Sequence, residues 1–289
     1  MPFNPSNRFK GISLVLVAGT SWGLIGLFAR SLSRIGLGAL DITALRGFFT
    51  GLALLATIPL ANPKAMKVRL RDIWCMAGCG IASITFFNIC YFATLQRTSI
   101  GIAVVLLYTS PVFVTVLSHF CFGEVFRKKT FIALALVTAG CVLVSGITGS
   151  GGLTFCSLLT GLGSGFCYAL YSIFGRFAQQ RGYSSIAITL WSFIFAATAA
   201  LFIMDWRNVL PILGTRSPWL PLAGLVLVST ILPYFTYTAG LRLLPPSTAA
   251  ITATIEPVVG TLVGIVVFGE SLTASAIAGM ALIIGALFL

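Results

Sequence analysis

Charge is what this sequence has least of. Only 8% of its residues are charged, and acids are scarce even among these, with six Asp and Glu against 18 Lys and Arg. A soluble domain solvates its surface with roughly a quarter charged residues, so a water-facing exterior over most of the chain is excluded. There is one histidine, His119, and one acid placed deep in an apolar run, Glu256. That inventory is too small for the paired acids, Ser/Lys or His/Asp groups, or metal ligands that catalysis at membrane depth would need. A Gly-rich loop ending in Lys-Ser/Thr is absent, and with it nucleotide hydrolysis. The seven cysteines (Cys75, Cys79, Cys90, Cys121, Cys141, Cys156, Cys167) stand in or beside apolar runs, with no His or acidic neighbour at metal-ligand spacing. They read as small apolar packing residues rather than a disulfide framework or a zinc site. No metal and no cofactor is expected.

What is present is hydrophobicity: 58% of residues are apolar and the mean hydropathy is +1.04. Apolar stretches long enough to cross a bilayer recur along the chain, at approximately 11–29, 40–61, 73–96, 100–122, 130–147, 157–178, 186–205, 218–241, 248–268 and 274–289. The connections are short, leaving no room for a soluble domain. The first stretch follows Arg8 and Lys10 as a signal peptide would, but its counterpart in the second half marks it as a retained helix. The net charge of +12 is not gathered into a nucleic-acid-binding face; it is dispersed in clusters such as Lys64, Lys67, Arg69 and Arg71, and Arg127, Lys128 and Lys129. With both termini cytoplasmic, twelve Lys and Arg lie inside and five (Arg30, Arg34, Arg97, Arg207, Arg216) outside, while Arg46 remains within the second span. This is the positive-inside bias. The expectation is an all-α polytopic protein of a bacterial inner membrane.

A constant offset of 146 residues superposes the two halves. It carries Gly19 onto Gly165, Phe28 onto Phe174, Arg30 onto Arg176 and Tyr91 onto Tyr237. It also carries Pro111-Val112 onto Pro257-Val258 and Phe122-Gly123-Glu124 onto Phe268-Gly269-Glu270. The repeats are 1–147 and 148–289. Each holds five spans, an odd number, so the second enters the membrane from the opposite side. Ten transmembrane helices then form two inverted five-helix repeats, an arrangement suited to alternating access with a solute site near the midplane.

The motifs Tyr108-Thr109-Ser110-Pro111-Val112-Phe113 with Phe122-Gly123-Glu124, and Glu256-Pro257-Val258-Val259-Gly260 with Phe268-Gly269-Glu270, resemble the fourth and ninth helices of the EamA-type drug/metabolite transporter superfamily. Arg46 followed by Gly47-Phe48-Phe49, and Ser21-Trp22-Gly23, are similar to the beginnings of its second and first helices. The likeness spans essentially the whole chain and is greatest to the amino-acid exporter branch, including the YddG-type exporters of aromatic and other neutral amino acids. It implies a ten-helix fold with a central cavity and export of small organic solutes. Drug, nucleotide-sugar or lipid-linked substrate carriers are the alternatives within transport; a channel or an intramembrane enzyme is a more distant one. Partners are then a small-molecule substrate and the bilayer, with no nucleic acid and a monomeric chain.

Candidate substrate-cavity residues are Trp22, Asn88, Tyr91, Tyr168, Tyr237, Ser110 and Glu256, since aromatic rings with polar tips accommodate amphipathic solutes. A carboxyl at the depth of Glu256 is costly unless it is paired or faces water. Glu256 either titrates or binds a substrate amine, or else satisfies backbone freed by Pro257. Pro111 and Pro257 bend their helices and are candidate hinges. Arg46, Glu124 and Glu270 are candidates for gate or structural ion pairs, a reading placed ahead of direct carboxylate binding for Arg46. His119 reads as a packing residue. Gly19/Gly23, Gly47/Gly51, Gly161/Gly165 and Gly260/Gly264 are small residues four apart that permit close helix approach.

Overall fold

The computed structural model describes residues 5–125, 127–146 and 153–289; the expected repeat boundary at 147 and 148 lies outside them. All regular structure among the described residues is helical. The main helices are α1 (Ser6–Ser33), α2 (Ala39–Ala61), α3 (Leu70–Leu95), α4 (Ile100–Phe122), α5 (Lys128–Val144), α6 (Phe155–Gln180), α7 (Ser185–Ile203), α8 (Trp219–Leu243), α9 (Pro246–Phe268) and α10 (Ala274–Ala286). Eight are long and apolar enough to cross a bilayer. The other two, α5 with 17 residues and α10 with 13, are shorter and pack on each other. A Cβ on Gly140 would lie 2.8 Å from the Gly279 carbonyl oxygen, so these two backbones nearly touch. Large apolar side chains such as Phe120, Phe202 and Val266 project from the bundle, which hydrocarbon tolerates and water does not.

The halves interlock. In the first half, α1 packs against α8 and α9, while in the second, α6 packs against α3 and α4. Around them α2 pairs with α7 and α5 with α10. The close approaches obey the same symmetry. A Cβ on Gly19 would stand 2.8 Å from the Ala253 carbonyl oxygen; one on Gly165 would stand 2.8 Å from that of Leu106 and 3.1 Å from that of Leu107. Leu107 and Ala253 are themselves 146 residues apart. Gly123 and Gly269 end their helices in the left-handed region, at φ +67° and +69°, where an L side chain is strained.

Irregularities recur at the same register. A π-helical stretch occupies 78–85 in α3 and 227–231 in α8. The helix is broken at Tyr108–Thr109 in α4 and at Thr254 in α9, so Pro111 and Pro257 lie just inside the half-helices that follow. Proline is well accommodated there, because the first turn leaves its N–H groups unbonded. At each break a threonine folds back onto the carbonyl three residues earlier with both its N–H and its hydroxyl: the hydroxyl of Thr109 donates to Leu106 and that of Thr254 to Ile251, both at 2.6 Å. One element goes beyond the expected connections. The segment after α7 forms a short helix, Trp206–Leu213, whose first turn the Asp205 carboxylate caps at the Arg207 N–H, and which buries Val209 against the bundle.

The glycine contacts give a stability test. Gly165→Val is expected to destabilise by roughly 1–3 kcal/mol, the usual cost of forcing a side chain into a filled contact. Gly285→Ala, at a position with nothing within 4 Å of the added carbon, is expected to stay within about 0.5 kcal/mol of the parent. Thermal unfolding in detergent compares the two; equal losses would mean that the α6–α4 approach is not tight.

Candidate functional site

The half-helices set the site. A cavity of ≈ 500 Å³ lies between α1 and α3 and between the halves Ile100–Leu107 of α4 and Ile255–Phe268 of α9. It reaches one face of the bundle, where Arg30, Ile100 and Glu270 are exposed at its mouth. Deeper, Trp22, Phe87, Tyr91, Tyr108, Tyr168 and Tyr234 form an aromatic wall, interspersed with Thr43, Asn88, Arg46 and Glu256. The volume falls in the range of small-molecule sites.

At the opposite face the corresponding elements are closed. Ser172 and Tyr237 are joined hydroxyl to hydroxyl at 2.7 Å, and Tyr171 and Thr238 at 2.9 Å. The Gln179 amide donates to the Thr238 carbonyl at 2.6 Å and the Arg176 guanidinium to that of Leu241 at 3.0 Å. These bonds zip α6 to α8. The Glu124 carboxylate accepts from both the backbone N–H and the hydroxyl of Ser247, tying the end of α4 to the start of α9. Only a remnant of ≈ 10 Å³ survives beneath the cavity floor, lined by Ser110, Pro111, Ser172, Tyr237 and Thr254 among others.

Five of the seven candidate cavity residues therefore share the cavity wall: Trp22, Asn88, Tyr91, Tyr168 and Glu256. Ser110 and Tyr237 do not reach it; they border the remnant below, and Tyr237 is buried with its ring 5.3 Å from that of Trp22. Asn88 is held by its amide donating to the Ile84 carbonyl at 2.6 Å, which fixes the side chain just past the π-helical stretch. Glu256 opens the half-helix after the α9 break and receives the Tyr168 hydroxyl at 3.4 Å. Tyr234 and Tyr108 were not singled out from the sequence. Tyr234 could have been found, because it is the repeat mate of the singled-out Asn88.

The charged candidates separate. Glu270 pairs with Arg30 at 2.6 Å at the mouth, and Arg30 also stacks 4.3 Å above the Phe268 ring. Glu124 is hydrogen-bonded to Ser247 and forms no ion pair among the described residues. Arg46, 8% exposed, likewise has no ion pair or hydrogen bond among them, and it faces the cavity. Asp41, near it in sequence, turns away to accept from the Asp205 N–H at 3.1 Å and the Asn208 amide at 3.3 Å. His119 donates from Nδ1 to the Glu124 carbonyl at 2.8 Å, bracing the end of α4. Among the described residues no group of His, Cys, Asp and Glu is placed to hold a metal, and all seven cysteines are free thiols.

Comparison with known proteins agrees with this architecture. An uncharacterized transporter of Archaeoglobus fulgidus is 30% identical over 279 residues, covering 95% of this chain and 93% of that protein. The threonine/homoserine exporter RhtA of Escherichia coli K12 is 28% identical over 285 residues, covering 95% and 89%. A solved crystal structure superposes with a TM-score of 0.78 at 20% identity, over 98% of this chain and 96% of the other, which supports the fold. The pattern of the EamA-like transporter family matches twice, at residues 9–146 and 156–289. The chain thus belongs to the EamA-like transporter family and is a multi-pass membrane transporter.

Proposed function

We propose that the chain is a secondary carrier that exports small amphipathic metabolites, neutral and aromatic amino acids foremost, from the cytoplasm across a bacterial inner membrane. The observation that carries this reading is a solute-sized cavity between inverted repeats, open at one face and zipped shut at the other. Such a one-sided opening is what a carrier needs and a pore lacks, because the symmetry makes the mirror-image state accessible at similar energy. With both termini in the cytoplasm, as the distribution of Lys and Arg favours, the open face is the outer one and this is the state that has released its cargo. The aromatic wall suits an apolar side chain, the polar groups suit charged ends, and RhtA, by its name, exports the amino acids threonine and homoserine.

The energy source follows from what is available. No nucleotide-binding loop is present in the sequence, so transport runs down the substrate gradient or is coupled to an ion. Glu256 is the one acid in the middle of the membrane and faces the cavity beside the Tyr168 hydroxyl. It is the proposed coupling group.

Proteoliposomes loaded with threonine or phenylalanine are expected to show saturable efflux and counterflow. Non-saturable leakage, or no flux across the amino-acid panel, would remove the assignment. Wild-type flux is expected to change with pH and that of Glu256→Gln to be flat; a pH response retained by the variant would rule out Glu256 as the coupling group.

A further inference from the structure

We infer that Arg46 and Glu256 are the two ends of a clamp for a zwitterion, Arg46 taking the carboxylate and Glu256 the ammonium group. The inference rests on the carrier reading and assigns the residues that set its substrate class. Arg46 is the one Lys or Arg in the middle of a span, and Glu256 the one Asp or Glu. Each is costly at that depth without a counter-charge, yet no ion pair joins them to each other or to another described residue. The other cavity charges, Arg30 and Glu270, are consumed by mutual pairing at the mouth. Arg46 is more than nine-tenths buried, has no hydrogen-bond partner among the described residues and lines the cavity, where its planar donor fork is suited to taking a carboxylate in two-pronged fashion. Glu256 already has the Tyr168 hydroxyl on one oxygen; an ammonium group would add the counter-charge that a hydroxyl does not supply. The rings of Phe87, Tyr91 and Trp22 line the same cavity and remain for the side chain.

The test uses the purified full-length chain and the best-binding member of a panel of neutral amino acids, compared with its decarboxylated amine and its N-acetyl derivative. The wild type is expected to bind the amino acid roughly tenfold or more tightly than either analogue, the size of effect that losing one charged hydrogen bond produces. Arg46→Gln is expected to lose discrimination against the amine while keeping it against the N-acetyl form, and Glu256→Gln the reverse. Arg46→Lys, which keeps the charge without the fork, is expected to restore part of the discrimination and shows that loss in Arg46→Gln is not misfolding. Amino-acid binding with equal affinity for both analogues would overturn the clamp and leave the carrier reading standing; no amino-acid binding at all would overturn both.

A different observation carries a second inference, about how the open face closes. The closed face holds Glu124 on Ser247 and Arg176 on the Leu241 carbonyl. An offset of 146 residues carries these four positions onto Glu270, Gly101, Arg30 and Leu95. The geometry points to an exchange of partners. On closure the Arg30–Glu270 pair opens, Glu270 accepts from the first-turn N–H of Gly101 on α4, and Arg30 donates to the Leu95 carbonyl at the end of α3. In the open state Arg30, Glu270 and Gly101 line the cavity, and the Gly101 N–H has no backbone partner among the described residues.

Gly101 lacks the hydroxyl with which Ser247 completes the closed-face contact, so Gly101→Ser supplies it. Spin labels at Ser33→Cys and Gln96→Cys, in a chain whose seven own cysteines are replaced by alanine, report the width of the mouth by electron–electron resonance. Gly101→Ser is expected to move population toward the shorter distance, and Glu270→Gln added to it to remove that shift. A distribution unchanged by Gly101→Ser, or a shift that survives Glu270→Gln, would overturn the exchange.

Discussion

A helix can be interrupted inside a bilayer only where protein or water takes up the backbone groups that the break sets free. This constraint governs the molecule. Both α4 and α9 are broken, at Tyr108–Thr109 and at Thr254, and each break is served by its own threonine hydroxyl. It is also served by a glycine-faced neighbour, α6 for the first and α1 for the second, whose backbone closes on the carbonyls just ahead of the break. The glycines matter because only their lack of a side chain lets the neighbouring helix come close enough to exclude lipid. The cavity lies between the half of α4 before its break and the half of α9 after its break, whereas the other halves, Ser110–Phe122 and Pro246–Ala253, pack on each other where it is sealed.

Polar chemistry is concentrated by the same arrangement. Five of the six acids lie near the ends of the spans and have partners there: Asp41 with Asn208, Asp72 with Arg181, Glu124 with Ser247, Asp205 with its own helix start, and Glu270 with Arg30. Asp72 also receives the Tyr183 hydroxyl at 2.8 Å and its Arg181 partner lies 4.9 Å from the Trp74 ring, a cluster that binds the start of α3 to the end of α6. Those pairs fasten helix ends together. Glu256 and Arg46 form no ion pair among the described residues, and both line the cavity.

The repeat is symmetric in scaffold and unequal in chemistry. Glycine caps, π-helical stretches, breaks and close contacts recur at a fixed offset, whereas Ser110 faces Glu256, Asn88 faces Tyr234 and Gly101 faces Ser247 across it. Inverted duplication of this kind underlies alternating access in many transporter folds. The unequal residues line an open cavity on one side and form the sealing contacts on the other.

The sequence by itself determined the solvent, the count and approximate limits of the helices, and the inverted duplication, because hydrocarbon imposes length and apolarity on each span locally and a constant offset is visible without coordinates. It also marked part of the cavity wall, since Trp22, Tyr91, Tyr168 and Glu256 are anomalous where they stand. What only the tertiary structure decided is which polar groups meet. Ser110 and Tyr237 satisfy the same sequence criteria as their neighbours, yet they lie in the sealed half, and that depends on which face of the bundle is open. That Arg46 has no ion pair or hydrogen bond among the described residues was equally illegible, because a side chain's pairing depends on every other helix around it and not on the helix that carries it.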